Sequence, residues 1–146
     1  MSLIIGQGVV EWVAKRTNEH GNFGCAQGIG WQRHGQIVAG VVYNEFNGVN
    51  CLMHVASDGS RRWLHREFLR VAFDYPFNQL KVRRVTGLVG EGNIAAREFD
   101  EHLGFTLETR LENAHPTGDL LIYRMWKSDC RWLNENLHPL RLRLAA

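Results

Sequence analysis

The sequence predicts a single α/β (α+β) domain, a mixed β-sheet flanked by helices. Three observations carry that prediction. Two strand-like runs, 37–43 and 49–56, are separated by Asn47-Gly48, a strong hairpin signal. From Ser60 to Leu103 helix-like and strand-like stretches alternate, which implies right-handed parallel crossovers. A glycine-rich turn, TGLVGEGN, ends one of those strands and opens a helix that Gly104 stops.

The elements follow in chain order. Gly6 to Asn18 carries Val9, Val10, Val13 and Ala14 at helical spacing, which predicts a short amphipathic helix. Cys25 to Gln32 alternates and reads as a strand, and His34-Gly35 turns the chain. Ile37 to Tyr43 (IVAGVVY) is a continuous β-branched run, suited to a strand buried on both faces. Val49 to Ala56 (VNCLMHVA) is the next strand. Ser60 can then cap a helix that lines up Leu64, Phe68, Val71, Ala72 and Tyr75 and ends at Pro76. Val82 to Val89 is a strand and Asn93 to Leu103 a helix. Phe105 to Arg110 and Leu120 to Trp126 are two closing strands around the turn HPTGD. The domain is read as residues 1–146, with a core at about 9–126 and a tail at 130–146.

Composition narrows the function classes. With 146 residues the chain can close one core. A net charge of +2 does not call for a nucleic-acid partner, and none is expected. The three widely spaced cysteines argue for a reducing compartment rather than a disulfide framework. No apolar run approaches a membrane span, and MSLIIGQGVVEW lacks the pattern of a signal peptide. A cytoplasmic location and no membrane partner are the resulting expectations.

Arg61-Arg62 follow the capping Ser60, at the end of a helix where unpaired N–H groups already make the field positive. A bound polyphosphate reverses the sign of that conflict. The plain alternative is two solvated arginines. A second motif, Asn93-Ile-Ala-Ala-Arg-Glu-Phe-Asp-Glu-His-Leu-Gly-Phe, changes the balance. Together the two stretches resemble the GNAT family, the Gcn5-related N-acetyltransferases, whose Asn-x-x-Ala helix ends in Leu-Gly-Phe. By element order the resemblance covers roughly Val9 to Trp126.

The resemblance implies a GNAT-like sheet that splays beside Val49–Ala56, with acetyl-CoA as co-substrate and an amine as acceptor. It implies that Met53, His54 and Val55 border the pantetheine arm. Gly59, Ser60, Arg61, Arg62 and Trp63 are placed at the pyrophosphate, and Asn93 at the arm. Counting back from Leu-Gly-Phe puts Asp100 where many members carry the Tyr that protonates the leaving thiolate. Cys51 stands where members often carry a Glu. Of the phosphate-loop glycines this chain keeps only Gly59.

Three residues are candidates for acid–base work. His54 titrates in the useful range, against the alternative of a hydrogen-bonded strand histidine. Glu45 follows the preceding strand and can reach toward the acceptor end, against a solvated loop carboxylate. Asp100 can shuttle a proton to the thiolate, against an exposed helix residue. The expected function is acetyl transfer to an amine by direct attack. The alternatives are an acyl-CoA-binding module without catalysis, or a nucleic-acid binder stacking bases on Arg61-Arg62-Trp63 and Arg131-Trp132. Rossmann and P-loop readings fail on glycine spacing and on the missing Gly-Lys-Ser/Thr. Cys51-x-x-His54 finds no second pair with zinc spacing, so no metal is expected. Leu140 to Leu144 alternates apolar and basic, suited to a strand that docks on a sheet edge and makes a homodimer.

Overall fold

A computed structural model describes residues 2–17, 23–60 and 66–133. Arg61, Arg62, Trp63 and the tail from 134 onward lie outside the described residues, as does the expected tail strand. The elements are β1 (Ser2–Ile5), α1 (Gln7–Thr17), β2 (Ala26–Arg33), β3 (Gln36–Asn44), β4 (Asn50–Ser57), α2 (Arg66–Asp74), β5 (Arg84–Gly90), α3 (Ile94–Leu103), β6 (Thr106–His115) and β7 (Gly118–Trp126). One seven-stranded sheet holds the strands in the order β1-β2-β3-β4-β5-β7-β6. The β4–β5 pair is parallel and every other pair antiparallel, so the sheet is mixed, as expected.

Three elements differ from expectation. β1 is not among the expected strands, because four residues carry too little periodicity to read. It forms because β2 offers an antiparallel edge, pairing Ser2 with Gln32 through Ile5 with Ile29. Pro76 does not stop the chain's coiling. It enters a π-helical turn, Tyr75–Gln79, closed by Leu80 N–H on Tyr75 O. Proline is tolerated there because Ala72 O, four residues back and the acceptor its missing N–H would have used, takes the Tyr43 hydroxyl instead. β6 runs on to His115, five residues past Arg110, with register irregularities and Asn113 at φ 53° absorbing the extra length.

Each face of the sheet has its own cover. Val9, Val10, Val13 and Ala14 of α1 pack with Val42, Phe23 and Ala56 on one face. On the other, Phe68, Leu69, Ala72 and Phe73 of α2 and Leu103 of α3 join Tyr43, Met53, Val85, Tyr123 and Met125. Strand alternation therefore decides which helix each strand residue meets.

The ends of α3 follow local rules. Asn93 Oδ1 accepts from Ala96 N–H at 3.2 Å, an N-cap bond. Gly104 sits at φ 113°, and the N–H groups of Gly104 and Phe105 return to Asp100 O. Gly104→Ala is expected to cost about 1–2 kcal/mol, since only glycine adopts that backbone freely. Urea unfolding measures it; an unchanged midpoint contradicts the expectation.

Candidate active site

The β4–β5 ladder is short. It pairs Asn50 with Arg84, Cys51 with Val85 and Leu52 with Thr86, and then stops. β4 continues to Ser57 and β5 to Gly90, so both strands run on past the last pair. Arg83 N–H donates to Val49 O at 2.9 Å. That bond turns the backbone groups of odd-numbered β4 residues toward β5. Past the ladder's end, the N–H and C=O of Val55 therefore face the gap with no β5 partner in the ladder.

A cavity of about 560 Å³ fills the gap, lined by every residue from Met53 to Ser57 and from Gly87 to Gly90. Side chains of consecutive strand residues point to opposite faces. A single cavity touching all of them must pass through the sheet between the splayed strands. On the α2/α3 face its walls are Met53, Val55, Ala95, Ala96, Phe99, Asp100 and Phe105, with Asn93. On the α1 face they are His54, Ala56, Leu88, Gly90, His115, and Arg16 and Thr17 from the end of α1.

Asp100 lies at the α3 wall. Its carboxyl rests against β5 because Gly87 has no side chain: a Cβ there would stand 3.3 Å from Asp100 Oδ2. Burial, and secondarily the Glu101 carboxylate, raises its pKa to about 7. Glu101 in turn accepts a bond from Tyr123 OH at 3.2 Å. Asp100 is thus a carboxyl group that exchanges its proton near neutral pH.

His54 is differently placed. Its Nε2 lies 2.9 Å from Asn44 Oδ1, and Asn44 Nδ2 donates to Phe23 O. The amide oxygen is therefore the acceptor, and His54 Nε2 carries the proton. The ring also sits on Phe23, centroids 4.6 Å apart. Burial lowers its pKa to about 4, so it stays neutral in the physiological range. Glu45 lies on the surface at φ 52°, just after β3, and does not line the cavity. It is level with the paired end of β4, away from the opening.

The loop after β4 bonds to itself. Gly59 N–H donates to Ser57 Oγ, and the Ser60 N–H and hydroxyl both donate to Asp58 Oδ1. Those bonds hold the Asp58 carboxyl below its usual range. The N–H groups expected at a pyrophosphate are thus turned onto oxygens of their own loop.

The cavity also contains residues that sequence reasoning missed: Arg16, Thr17, Leu88, Phe99 and His115. His115 belongs to the motif HPTGD, which reads only as a turn. Its ring presses on Gly90, where a Cβ would stand 2.7 Å from Nε2. The bare glycine after LV is the signal that something approaches β5 there. Among the described residues no three His, Cys, Asp or Glu side chains gather as a metal site, and no helix is long and apolar enough to cross a membrane.

No protein-family profile and no curated protein sequence matches the chain. Solved structures do. A single-site mutant of the spermidine N-acetyltransferase SpeG from Vibrio cholerae superposes with a TM-score of 0.69 at 15% identity, over 94% of this chain and 100% of that one. Glu-to-Gln mutant forms of the spermidine/spermine N-acetyltransferase SpeG from the same organism give 0.68 at 15% identity, over 93% and 99%. A probable acetyltransferase gives 0.61 at 17% identity, over 71% of this chain and 63% of that one. The chain has the fold of these acetyltransferases, the GNAT fold expected from its sequence.

Proposed function

We propose that this chain is a GNAT-type N-acetyltransferase that transfers the acetyl group of acetyl-CoA directly to an amine. The shared fold supports it, and the through-sheet cavity carries it. Two reactants can enter one gap from opposite faces and meet beside unpaired strand backbone.

The residues present fit an acyl-CoA arm. Val55 offers a strand-edge C=O to its amides, and Ala95, Ala96 and Phe99 offer a small and apolar wall. Asn93, with its side chain already capping α3, borders the same arm, as do Met53 and His54. Ser60 becomes a donor to the pyrophosphate when it takes the place of the Asp58 carboxylate, and Gly59 when its N–H leaves Ser57 Oγ, with Arg61, Arg62 and Trp63 proposed beside them. Asp58→Asn is therefore expected to tighten acetyl-CoA binding several-fold, because a carboxylate no longer competes for that position. Calorimetry checks this, and weaker binding contradicts it.

Each group then has a role. The Val55 N–H polarises the thioester carbonyl. The amine forms the new C–N bond as the C–S bond breaks, and Asp100 protonates the departing sulfur. His54, neutral and tied to Asn44, orients the wall rather than accepting the amine's proton. That proton leaves to solvent through the cavity mouth. The three cysteines are free thiols, which fits a reducing compartment such as the cytoplasm.

Release of free CoA thiol from acetyl-CoA, with and without added amines, tests the reading. Amine-dependent release is expected, together with a melting temperature raised by acetyl-CoA and not by NADH. Saturable acetyl-CoA binding with no amine-dependent release supports a non-catalytic module instead.

A further inference from the structure

The two mouths of the cavity differ in chemistry. Asp100 belongs to the α3 side. On the α1 side Arg16 and His115 offer donors, beside the Thr17 hydroxyl and the His54 ring. The Arg16 guanidinium lies over the Trp12 ring at 3.5 Å and donates one N–H to Trp12 O, which fixes its plane at the end of α1. Over Gly90, His115 of β6 accepts Thr117 N–H at Nδ1, which leaves Nε2 as the ring's donor. That Nε2 edge is the one against Gly90, at the cavity wall. Among the described residues no carboxylate lines this side. Asp58, which Arg16 helps keep ionised, sits beside the mouth but outside the lining.

We infer that the acceptor is an amine bearing an acidic group, a carboxylate or a phosphate, which Arg16 and His115 hold while the amine reaches through the gap. A guanidinium and a ring N–H with no carboxylate among the described lining of this side suit an oxyanion and disfavour a polycation. Leu88 and Ala56 line the same side and can border a short apolar stem of such a molecule. This rests on the acetyltransferase reading and specifies its second substrate. It sets the chain apart from the spermidine enzymes that share its fold.

The test compares matched amines on the wild-type protein: leucine against leucinamide, O-phosphoethanolamine against ethanolamine, and spermidine. Acetyl-CoA consumption should give a kcat/KM about 10-fold or more higher for at least one acidic member than for its neutral partner, with spermidine poorest. Arg16→Gln and His115→Gln should each shrink that ratio while leaving the acetyl-CoA dissociation constant unchanged. Equal use of each pair or preference for spermidine would overturn the inference, whereas acetyl-CoA binding without turnover of any amine would strike the acetyltransferase reading on which it rests. A loss of acetyl-CoA affinity in Arg16→Gln with the ratio intact would also overturn the inference, and would assign Arg16 to the pyrophosphate. Failure of acetyl-CoA to bind at all would strike the acetyltransferase reading itself.

Discussion

Replacing Asp100 by Asn should lower kcat about 100-fold or more, the usual contribution of a positioned general acid. Acetyl-CoA affinity should hold, because the amide keeps the shape of the wall. The pH profile separates this from a packing effect. In the wild type, rate should fall as pH rises through about 7, where Asp100 loses its proton, and Asp100→Asn should lose that limb. Stability also falls as pH rises, but over a lower range. A carboxyl whose folded pKa lies above its unfolded value costs nothing below about pH 4. The cost grows between about pH 4 and pH 7 and keeps its full size above that. At pH 8 the Asn variant should therefore be more stable than the wild type, by on the order of a few kcal/mol. A variant that keeps full kcat and an unchanged pH profile removes Asp100 from the reaction.

Gly40→Val should destabilise the fold by about 1–3 kcal/mol or more and disturb the site as well. A Cβ at position 40 would stand 2.7 Å from Val13 Cγ2 and 3.0 Å from Val9 Cγ1. Gly28 and Gly30 meet α1 just as closely, so the three glycines form the floor on which that helix lies. Lifting α1 moves Arg16 and Thr17 away from the cavity mouth. The expected signature is a lower urea midpoint together with a raised KM for the amine. A stability loss with amine kinetics untouched would show that α1 does not shape the acceptor side.

What the sequence makes legible is what depends on neighbours a few residues away. The Asn93 cap answers to Ala96, and Gly104 answers to Asp100 and Glu101, so both are readable from spacing alone. The parallel β4–β5 pair follows from the strand–helix–strand order. The site's chemistry depends on distant residues. Asp100 reads as an exposed helix residue until Gly87, thirteen positions earlier, is seen to make room for it. His54 reads equally as a base or as a hydrogen-bonded strand histidine until Asn44 and Phe23 are seen around it. His115 and Arg16 meet the cavity only through the hairpin's length and the tilt of α1 on its glycine floor. Glu45 looks close to the acceptor by chain order, but β3 delivers it to the paired end of the sheet.

The central claim is that acetyl-CoA lies in the gap between β4 and β5. An amide NMR titration with acetyl-CoA tests it most directly. Saturable shifts are expected at Met53 to Ser57, Gly87 to Gly90 and Asn93 to Ala96, with the Val55 amide gaining protection from exchange as its N–H acquires a partner. Amides of β1 and β2 should stay in place. Saturable binding that leaves Val55 and the Gly87–Gly90 segment unmoved would contradict the account.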